Sequence, residues 1–318
     1  MDEIPSDLID LERYPLDALD SPAGEALLAD CRAQFARDGA CNLPGFLSAA
    51  GVALLAGEAT ALMPQAYFKS ARRNAYFTPD DPALPQDHPR RMFFHTQIGQ
   101  VAWDQIGQRA QVARLYRWSG LTEFLRRALG LAALHPMADA FQAVNYTYFR
   151  DGDHQAWHFD DGEFVITLLL QEAEAGGIFE YAPAVRAPGE ENAAEAARVL
   201  RGESERVVAL PRTAGTLTLF RGMVAVHRVS RVSGPTPRIT AILSYDVAPG
   251  CVADDDVNVF TYGPGSPACS GARMPAPPLR LAASPADQEG PLRPWRASRR
   301  VASAVPSWKL PLQRSSWT

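Results

Sequence analysis

The chain has 318 residues, of which 47% are hydrophobic, enough apolar material for one large domain or two ordinary ones. A net charge of −5, with no basic cluster in the body of the chain, argues against nucleic acid as a partner. No apolar run reaches the roughly 18 residues that a membrane span needs, and the acidic N-terminus is unlike a signal peptide, so we expect no membrane partner and a cytoplasmic location.

The pattern of residues 1–139 predicts a mainly helical part. Ser21, followed by a proline, is a typical first-turn signal, and Gly39 is placed to end that helix. A short apolar segment, ACNLPGFLS, predicts a strand that leads to Ser48, the cap of a second helix. A third helical segment, SGLTEFLRRALG, ends at Gly130.

The segment from Tyr67 to Gln97 is rich in arginine, proline, aspartate and aromatic residues and has no clean periodicity. Long connections of this kind in compact domains are often lids or binding loops. We therefore expect a lid here, with a solvated surface loop as the alternative.

Residues 140–262 consist of short segments rich in β-branched and aromatic residues, bounded by glycine, proline and aspartate. These segments are FQAVNYTYF, EFVITLLLQ, GIFEYAP, RVVALP, GTLTLF, VAVHRVSRV and RITAILSYDV. Only the stretch from Glu190 to Gly202, rich in alanine and glutamate, interrupts them as a predicted helix. Their spacing predicts an antiparallel sandwich or jelly roll, and hence an α+β, mainly β fold with the helical N-terminal part packed on it. The stretch 263–318 is rich in proline, serine and arginine and lacks periodicity, which predicts a disordered tail.

His158 and Asp160 stand directly before the apolar strand pattern EFVITLLLQ, and His227 follows 67 residues after Asp160 at the end of another strand pattern. A His-x-Asp pair alone is common by chance, and a buried histidine pair with a capping aspartate is the structural alternative. Two imidazoles and one carboxylate would occupy one face of a six-coordinate metal and leave three positions open, which suits Fe(II) that reacts with O2.

Arg238 follows His227 by eleven residues, on the next predicted strand. Its guanidinium can clamp a carboxylate through two hydrogen bonds, and Thr240 faces the same side of the strand and can add a third. A metal next to an anion anchor favours 2-oxoglutarate as a cosubstrate. Arg231 is the rival anchor, and an ordinary ion pair is the structural alternative for Arg238.

Asn145 and Tyr148, on the strand before the His-x-Asp pair, are placed to contact the chelating end of 2-oxoglutarate. The polarity of a strand explains them equally well. The two residues are three positions apart, and successive side chains of a strand point to opposite faces. Asn145 and Tyr148 therefore lie on opposite faces, so at most one can take this role.

The chain resembles the Fe(II)/2-oxoglutarate-dependent dioxygenase superfamily, and most closely the group that hydroxylates or halogenates free amino acids. The segments that carry this resemblance are HFDDGEFVITLLLQ, GGIFEY, LFRG, HRV and PRITAILSYD. The resemblance covers about Phe141 to Gly250, with a weaker likeness at RRNAYF and DHPRR. It implies a double-stranded β-helix and iron held by His158, Asp160 and His227. The implied reaction couples oxidative decarboxylation of 2-oxoglutarate to hydroxylation of a small molecule, a free amino acid or a derivative. Residues 1–262 would then be one catalytic domain, with the helical part and lid in 1–139 and the jelly-roll core in 140–262.

Halogenases of the group replace the metal-binding carboxylate by a small residue, whereas this chain keeps Asp160, which predicts a hydroxylase. The alternatives are an oxygenase that acts on another natural-product scaffold and a non-catalytic, cupin-like binding protein. A homodimer is left open.

Candidate substrate ligands are charged residues around the site. Asp161 can pair with a substrate ammonium, and Arg72, Arg73 or Arg91 can hold a substrate carboxylate. His95 can line the pocket, with a buried structural histidine as the alternative.

Overall fold

The structure, a computed structural model, describes residues 3–187 and 189–264. The predicted tail therefore lies outside the described residues, apart from residues 263 and 264. The described residues form seven α-helices: α1 (Pro22–Asp38), α2 (Ala49–Leu62), α3 (Trp103–Ile106), α4 (Gln111–Arg117), α5 (Ser119–Ala128), α6 (Ala193–Leu200) and α7 (Asp255–Tyr262). Short 3-10 helices occur at Leu16–Ala18, Met63–Gln65 and Pro89–Arg91. The strands are β1 (Ala40–Leu43), β2 (Tyr67–Arg73), β3 (Phe94–Val101), β4 (His135–Pro136), β5 (Val144–Phe149), β6 (Gln155–His158), β7 (Val165–Gln171), β8 (Phe179–Ala182), β9 (Val208–Ala209), β10 (Leu217–Phe220), β11 (Val226–Val229), β12 (Arg238–Leu243) and β13 (Tyr245–Asp246).

The predicted helix boundaries in the N-terminal part are confirmed by their caps. Ser21 Oγ accepts a hydrogen bond from the backbone N–H of Gly24, and α1 ends at Gly39, which adopts φ 69°. Ser48 caps α2 in the same way, through the N–H of Gly51. Side-chain oxygens thus satisfy N–H groups that a helix start leaves without partners.

Two antiparallel sheets form the β part of the chain. The larger has the strand order β1-β10-β7-β12-β5-β3-β2, and the smaller has the order β6-β11-β8-β9. A short pair, β4 and β13, stands apart from both. The predicted α+β, mainly β architecture of jelly-roll type is confirmed.

The predicted loop from Tyr67 to Gln97 is partly wrong, because a strand occupies each of its ends. Strands β2 and β3 pair from Tyr67 opposite Gln100 to Arg73 opposite Phe94. The irregular part is thus restricted to residues 74–93. Strand β2 was not predicted from the sequence, because it carries charged residues at partly buried positions. Its sequence therefore lacks the alternation of apolar and polar residues that is typical of a half-buried strand.

The N-terminal helices pack on one face of the larger sheet. Leu28, Leu55 and Phe124 from the helices share a buried cluster with Tyr146 and Leu168 from the sheet. Because successive residues of a strand point to opposite faces, the intervening residues of β5, β7 and β12 face the interior of the jelly roll. This interior holds the polar residues described next. Within the described residues, no helix has the length and apolarity to cross a membrane.

Candidate active site

His158 and His227 are direct partners across the antiparallel pair β6 and β11. Their ring centroids lie 4.0 Å apart. Asp160, two residues beyond the end of β6, lies with Oδ1 3.6 Å from Nε2 of His158 and Oδ2 3.5 Å from Nε2 of His227. The three potential ligand atoms all lie within 4.8 Å of one another. The fold therefore brings the sequence-predicted trio to one point.

Backbone carbonyls fix the orientation of both imidazoles. Nδ1 of His158 lies 2.9 Å from the carbonyl of Ala156, and Nδ1 of His227 lies 3.0 Å from the carbonyl of Ala225. Because a carbonyl can only accept, each Nδ1 must carry the proton, which leaves the lone pair on Nε2. Burial and the neighbouring His227 lower the pKa of His158 to about 4. This imidazole is therefore neutral at pH 7, as metal binding requires.

Asp160 supplies the strongest sign that the trio fits a cation. Its Oδ2 is buried and has no hydrogen-bond partner among the described residues. Burial raises the pKa of this carboxyl, but His227, His158 and Arg186 outweigh burial and leave the pKa below its usual value. A charged oxygen without a partner, between two imidazole lone pairs, is an arrangement that a divalent metal satisfies. Two nitrogens and one oxygen with room for further ligands suit Fe(II).

Arg238 and Thr240 are buried on the inner face of β12. Nη1 of Arg238 donates to Oγ1 of Thr240 at 2.6 Å. Burial lowers the pKa of Arg238 to about 10, so the guanidinium stays charged at pH 7. A buried cation paired with a hydroxyl is suited to an anionic ligand. Arg231, the rival anchor, is exposed and bonds to the carbonyl of Gly152, so that prediction is wrong.

Asn145 and Tyr148 lie on opposite faces of β5, as their parity predicts. Asn145 is opposite Ile242, two positions from Thr240, and faces the interior with it. Tyr148 points to the other face, where its hydroxyl donates to the carbonyl of Ala59 in α2 at 2.7 Å. The predicted role of Tyr148 as a cosubstrate ligand is therefore wrong, whereas Asn145 stays a candidate.

A cavity of about 1510 Å³ opens beside the trio and includes His158 in its lining. Residues from β2, β3, β6 and α7 form its walls, and residues of the 74–93 segment cover one side. The guanidinium of Arg73 lies 3.5 Å from the ring centroid of Phe260 and 5.2 Å from that of Phe77. Phe77 in turn packs on His158, with ring centroids 5.6 Å apart. Arg73 is therefore separated from His158, a candidate metal ligand, by one aromatic ring.

The other predicted substrate residues differ in their relation to this cavity. Asp161 and Arg72 are exposed residues of its lining, and the charge of Asp161 acts on Arg73. Arg91 is not among the lining residues and is instead held by Asp80, with Nε 2.9 Å from Oδ1. His95 is exposed and bonds to Ser70 at 2.8 Å. The predictions for Arg91 and His95 as substrate ligands are therefore wrong.

Lys69 is a cavity residue that sequence reasoning missed. Its Nζ lies 3.4 Å from the carbonyl of Phe260 and 4.3 Å from the centroid of the Phe260 ring. Burial and the nearby Arg73 lower the pKa of Lys69 to about 7. Helix α7, which carries Phe260, was also missed, although its run of aspartates before apolar residues is a typical helix start.

Comparison with known proteins gives one family and one recurring fold. Residues 23–251 match the sequence model of the family described as HalD: Halogenase D. The search of curated proteins found no significant match. Among solved structures, the non-haem alpha-ketoglutarate-dependent epimerase SnoN from nogalamycin biosynthesis is 18% identical, with 77% of this chain and 92% of that chain covered and a TM-score of 0.51. SnoN in complex with Fe3+, alpha ketoglutarate and nogalamycin RO is 19% identical, with 81% and 97% covered and a TM-score of 0.51. At this identity the likeness supports the fold.

Proposed function

This chain belongs to the Halogenase D family, and we propose that it hydroxylates a free amino acid or an amino-acid derivative. It is an enzyme of the Fe(II)/2-oxoglutarate-dependent oxygenase superfamily, with Fe(II) as its metal and 2-oxoglutarate and O2 as cosubstrates. The observation that carries the proposal is the carboxylate of Asp160, which completes the ligand trio with His158 and His227.

The residues of the site form two groups in this proposal, one that would bind the metal and one that would bind the cosubstrate. His158, Asp160 and His227 would hold the iron, which supplies the activation of O2 and the oxidative decarboxylation of 2-oxoglutarate. Arg238 and Thr240 would bind the distal carboxylate of 2-oxoglutarate in the buried interior. Asn145, on the same inner face, is our candidate for a further polar contact with this ligand.

Asp160 favours hydroxylation over halogenation. A halide needs a metal position that a small residue leaves open, and here the carboxylate occupies that position beside both imidazoles. The family description names a halogenase, but the presence of Asp160 in the candidate ligand set supports our proposal of a hydroxylase.

A carboxylated, amine-bearing substrate matches the charges of the cavity. Arg73 and Lys69 lie on the cavity side of β2 and would hold the substrate carboxylate. Asp161 lies at the rim and would face the substrate ammonium. A carboxylate bound at Arg73 would lie one aromatic ring from His158, which brings the substrate chain close to the metal.

The irregular segment 74–93 is our candidate for a lid over this cavity. Several of its residues, including Phe77, Asp80 and Leu84, contribute to the cavity lining. Closure of such a segment would exclude water from the site. We propose that residues 1–262 form one catalytic domain, with this lid in 1–139 and the jelly-roll core in 140–262.

The volume of the cavity favours a second candidate, a larger natural-product substrate. At about 1510 Å³ the cavity exceeds the roughly 300–1,000 Å³ that small-molecule sites usually occupy. The concentration of cations near the metal nevertheless supports a small, carboxylated substrate as the first choice.

The proposal is tested by succinate release from purified protein supplied with Fe(II), ascorbate and 2-oxoglutarate. Each free amino acid is added in turn, and we expect at least one to accelerate succinate release. His227→Ala should abolish this acceleration because it removes a metal ligand. If iron and 2-oxoglutarate bind but no amino acid accelerates turnover, the substrate class is wrong. If 2-oxoglutarate gives no protection against thermal unfolding, the binding-protein alternative is favoured.

A further inference from the structure

A second arginine, Arg212, reaches into the interior of the jelly roll from the segment before β10. Its Nη2 donates to Oγ1 of Thr167 on β7 at 2.8 Å. Its Nε is buried and has no hydrogen-bond partner among the described residues. Most buried polar groups are satisfied, so a guanidinium with a free donor in this position indicates a missing acceptor.

The charges around Arg212 also indicate that it binds an anionic group. Burial lowers the pKa of Arg212 well below its usual value, and the like charge of Arg238 lowers it further. Two guanidinium groups close together in a low-dielectric interior repel each other unless an anion lies between them or beside them. The charges of this interior therefore favour a negatively charged ligand.

The two arginines are held by threonine hydroxyls on neighbouring strands. Thr167, which holds Arg212, is opposite Ile242 on β12, and Thr240, which holds Arg238, is opposite Leu169 on β7. Both threonines thus share the inner face of the larger sheet. Each guanidinium is paired with a hydroxyl on that face, and each keeps further N–H donors for a ligand.

Arg212 and one of the candidate metal ligands pack against the same aromatic ring. The ring of Phe179 lies 5.5 Å from that of His227 and 5.7 Å from the guanidinium of Arg212. Arg212 is therefore separated from the candidate metal ligand His227 by one aromatic ring. A ligand that chelates the metal at one end would carry its far end toward Arg212 and Arg238.

We propose that Arg212 is a second anchor, with Arg238, for the distal carboxylate of 2-oxoglutarate, and that this pair makes the site select a dicarboxylic 2-oxoacid over a monocarboxylic one. This inference rests on the proposed function. The second cation gives the distal carboxylate a partner for each oxygen. Monocarboxylic 2-oxoacids such as pyruvate offer no group to this pair.

The experiment compares the binding of 2-oxoglutarate and of pyruvate to the full chain loaded with Mn(II), by calorimetry without oxygen. Arg212→Met keeps the length of the side chain and removes its charge, and Arg206→Met is the matched control, because Arg206 is exposed and lies just before β9, six residues from Arg212 in sequence. We expect Arg212→Met to raise the Kd of 2-oxoglutarate by about 10- to 100-fold and to change the Kd of pyruvate by less than about threefold. Arg206→Met should change neither.

Thermal unfolding without ligand separates an anchoring role from a structural one. Since Arg212→Met removes a buried charge, the variant should be at least as stable as the wild type when 2-oxoglutarate is absent. An unchanged Kd for 2-oxoglutarate would overturn the inference and leave the proposed function intact. Equal losses of affinity for both acids, with a lower Tm, would also overturn it. If the wild type itself fails to bind 2-oxoglutarate, the proposed function falls with it.

Discussion

Gly222 leaves no room for a side chain beside the carboxylate of Asp160. A Cβ at this position would lie 1.7 Å from Oδ2 of Asp160, far inside van der Waals contact. The carbonyl of Gly222 also accepts a hydrogen bond from the backbone N–H of Asp160 at 3.0 Å. The position of the carboxylate between the two imidazoles therefore depends on a glycine in the turn between β10 and β11.

Gly222→Ala should displace the Asp160 carboxylate and weaken metal binding. We expect the Kd of Mn(II) or Fe(II) to rise by about 10- to 100-fold, the range typical of changes to groups that orient metal ligands. Calorimetric titration with Mn(II) measures this effect. Gly57→Ala is the control, because a Cβ at Gly57 in α2 meets nothing within 4 Å and alanine favours a helix. Equal metal affinity in both variants would contradict the packing argument.

Asp160→Gly should convert the ligand set into one that admits a halide. Removal of the carboxylate would leave His158 and His227 with an additional open position at the metal. Halogenases of the group that this chain resembles use this arrangement. Succinate release by the variant should then depend on chloride concentration, whereas succinate release by the wild type should not. Steady-state rates with chloride or nitrate as the sodium salt distinguish the two. Chloride dependence in the wild type would refute the assigned role of Asp160.

Arg73→Met should impair binding of the amino-acid substrate and spare the cosubstrate. Loss of a charge-assisted hydrogen bond in a buried site costs about 1.5–3 kcal/mol, so the KM for the amino acid should rise by about 10- to 100-fold. The KM for 2-oxoglutarate should stay within about twofold, because Arg238 is unaffected. Arg37→Met, at the exposed end of α1, serves as the control. A parallel rise of both KM values would indicate a general disturbance of the site.

Lys69 should make stability depend on pH in the alkaline range. The pKa of this lysine is about 7 in the folded protein, against 10.5 for its ordinary value. The unfolded chain therefore binds more protons between these values, and folding stability rises with pH across that window. Lys69→Met should stabilise the protein below pH 7, by on the order of 2 kcal/mol, since water in the cavity reduces the full effect. This advantage should shrink as the pH rises toward 10.5.

Urea unfolding at pH 6, 8 and 9.5 measures the difference between Lys69→Met and the wild type. Arg37→Met provides the comparison, because its exposed side chain should give a difference that does not vary over this range. A Lys69→Met difference that is constant with pH would show that the lysine keeps its ordinary pKa.

Local sequence patterns predicted most of the jelly roll, and they contributed to the choice of the candidate metal ligands. His158 and Asp160 stand just before the apolar pattern of β7, whereas the pattern that we expected His227 to end is divided by a turn into β10 and β11, and His227 is the second residue of β11. The trio was predicted from its residue types and spacing and from the family resemblance, together with these local patterns. Parity along β5 correctly separated Asn145 from Tyr148. Which of the two faces the interior depends on the packing of α2 over the sheet, a long-range contact that no local pattern contains.

The site residues that the sequence did not predict are brought to the site by contacts between segments that are distant in sequence. Arg212 lies in a short irregular segment and becomes notable only because folding brings it beside Arg238. Lys69 and Phe260 are nearly two hundred residues apart in sequence and meet across the cavity. The sequence favoured Arg238 as the anchor and kept Arg231 as its rival, and only the fold shows that Arg231 is exposed and Arg238 buried.

The mass of the product tests the central claim most directly. The wild-type enzyme is supplied with Fe(II), 2-oxoglutarate, 18O2 and sodium chloride, together with the amino acid that best accelerates succinate release. We predict a product heavier by one 18O atom and free of chlorine, because the Asp160 carboxylate would occupy the metal position that a halide needs. A chlorinated product would contradict it.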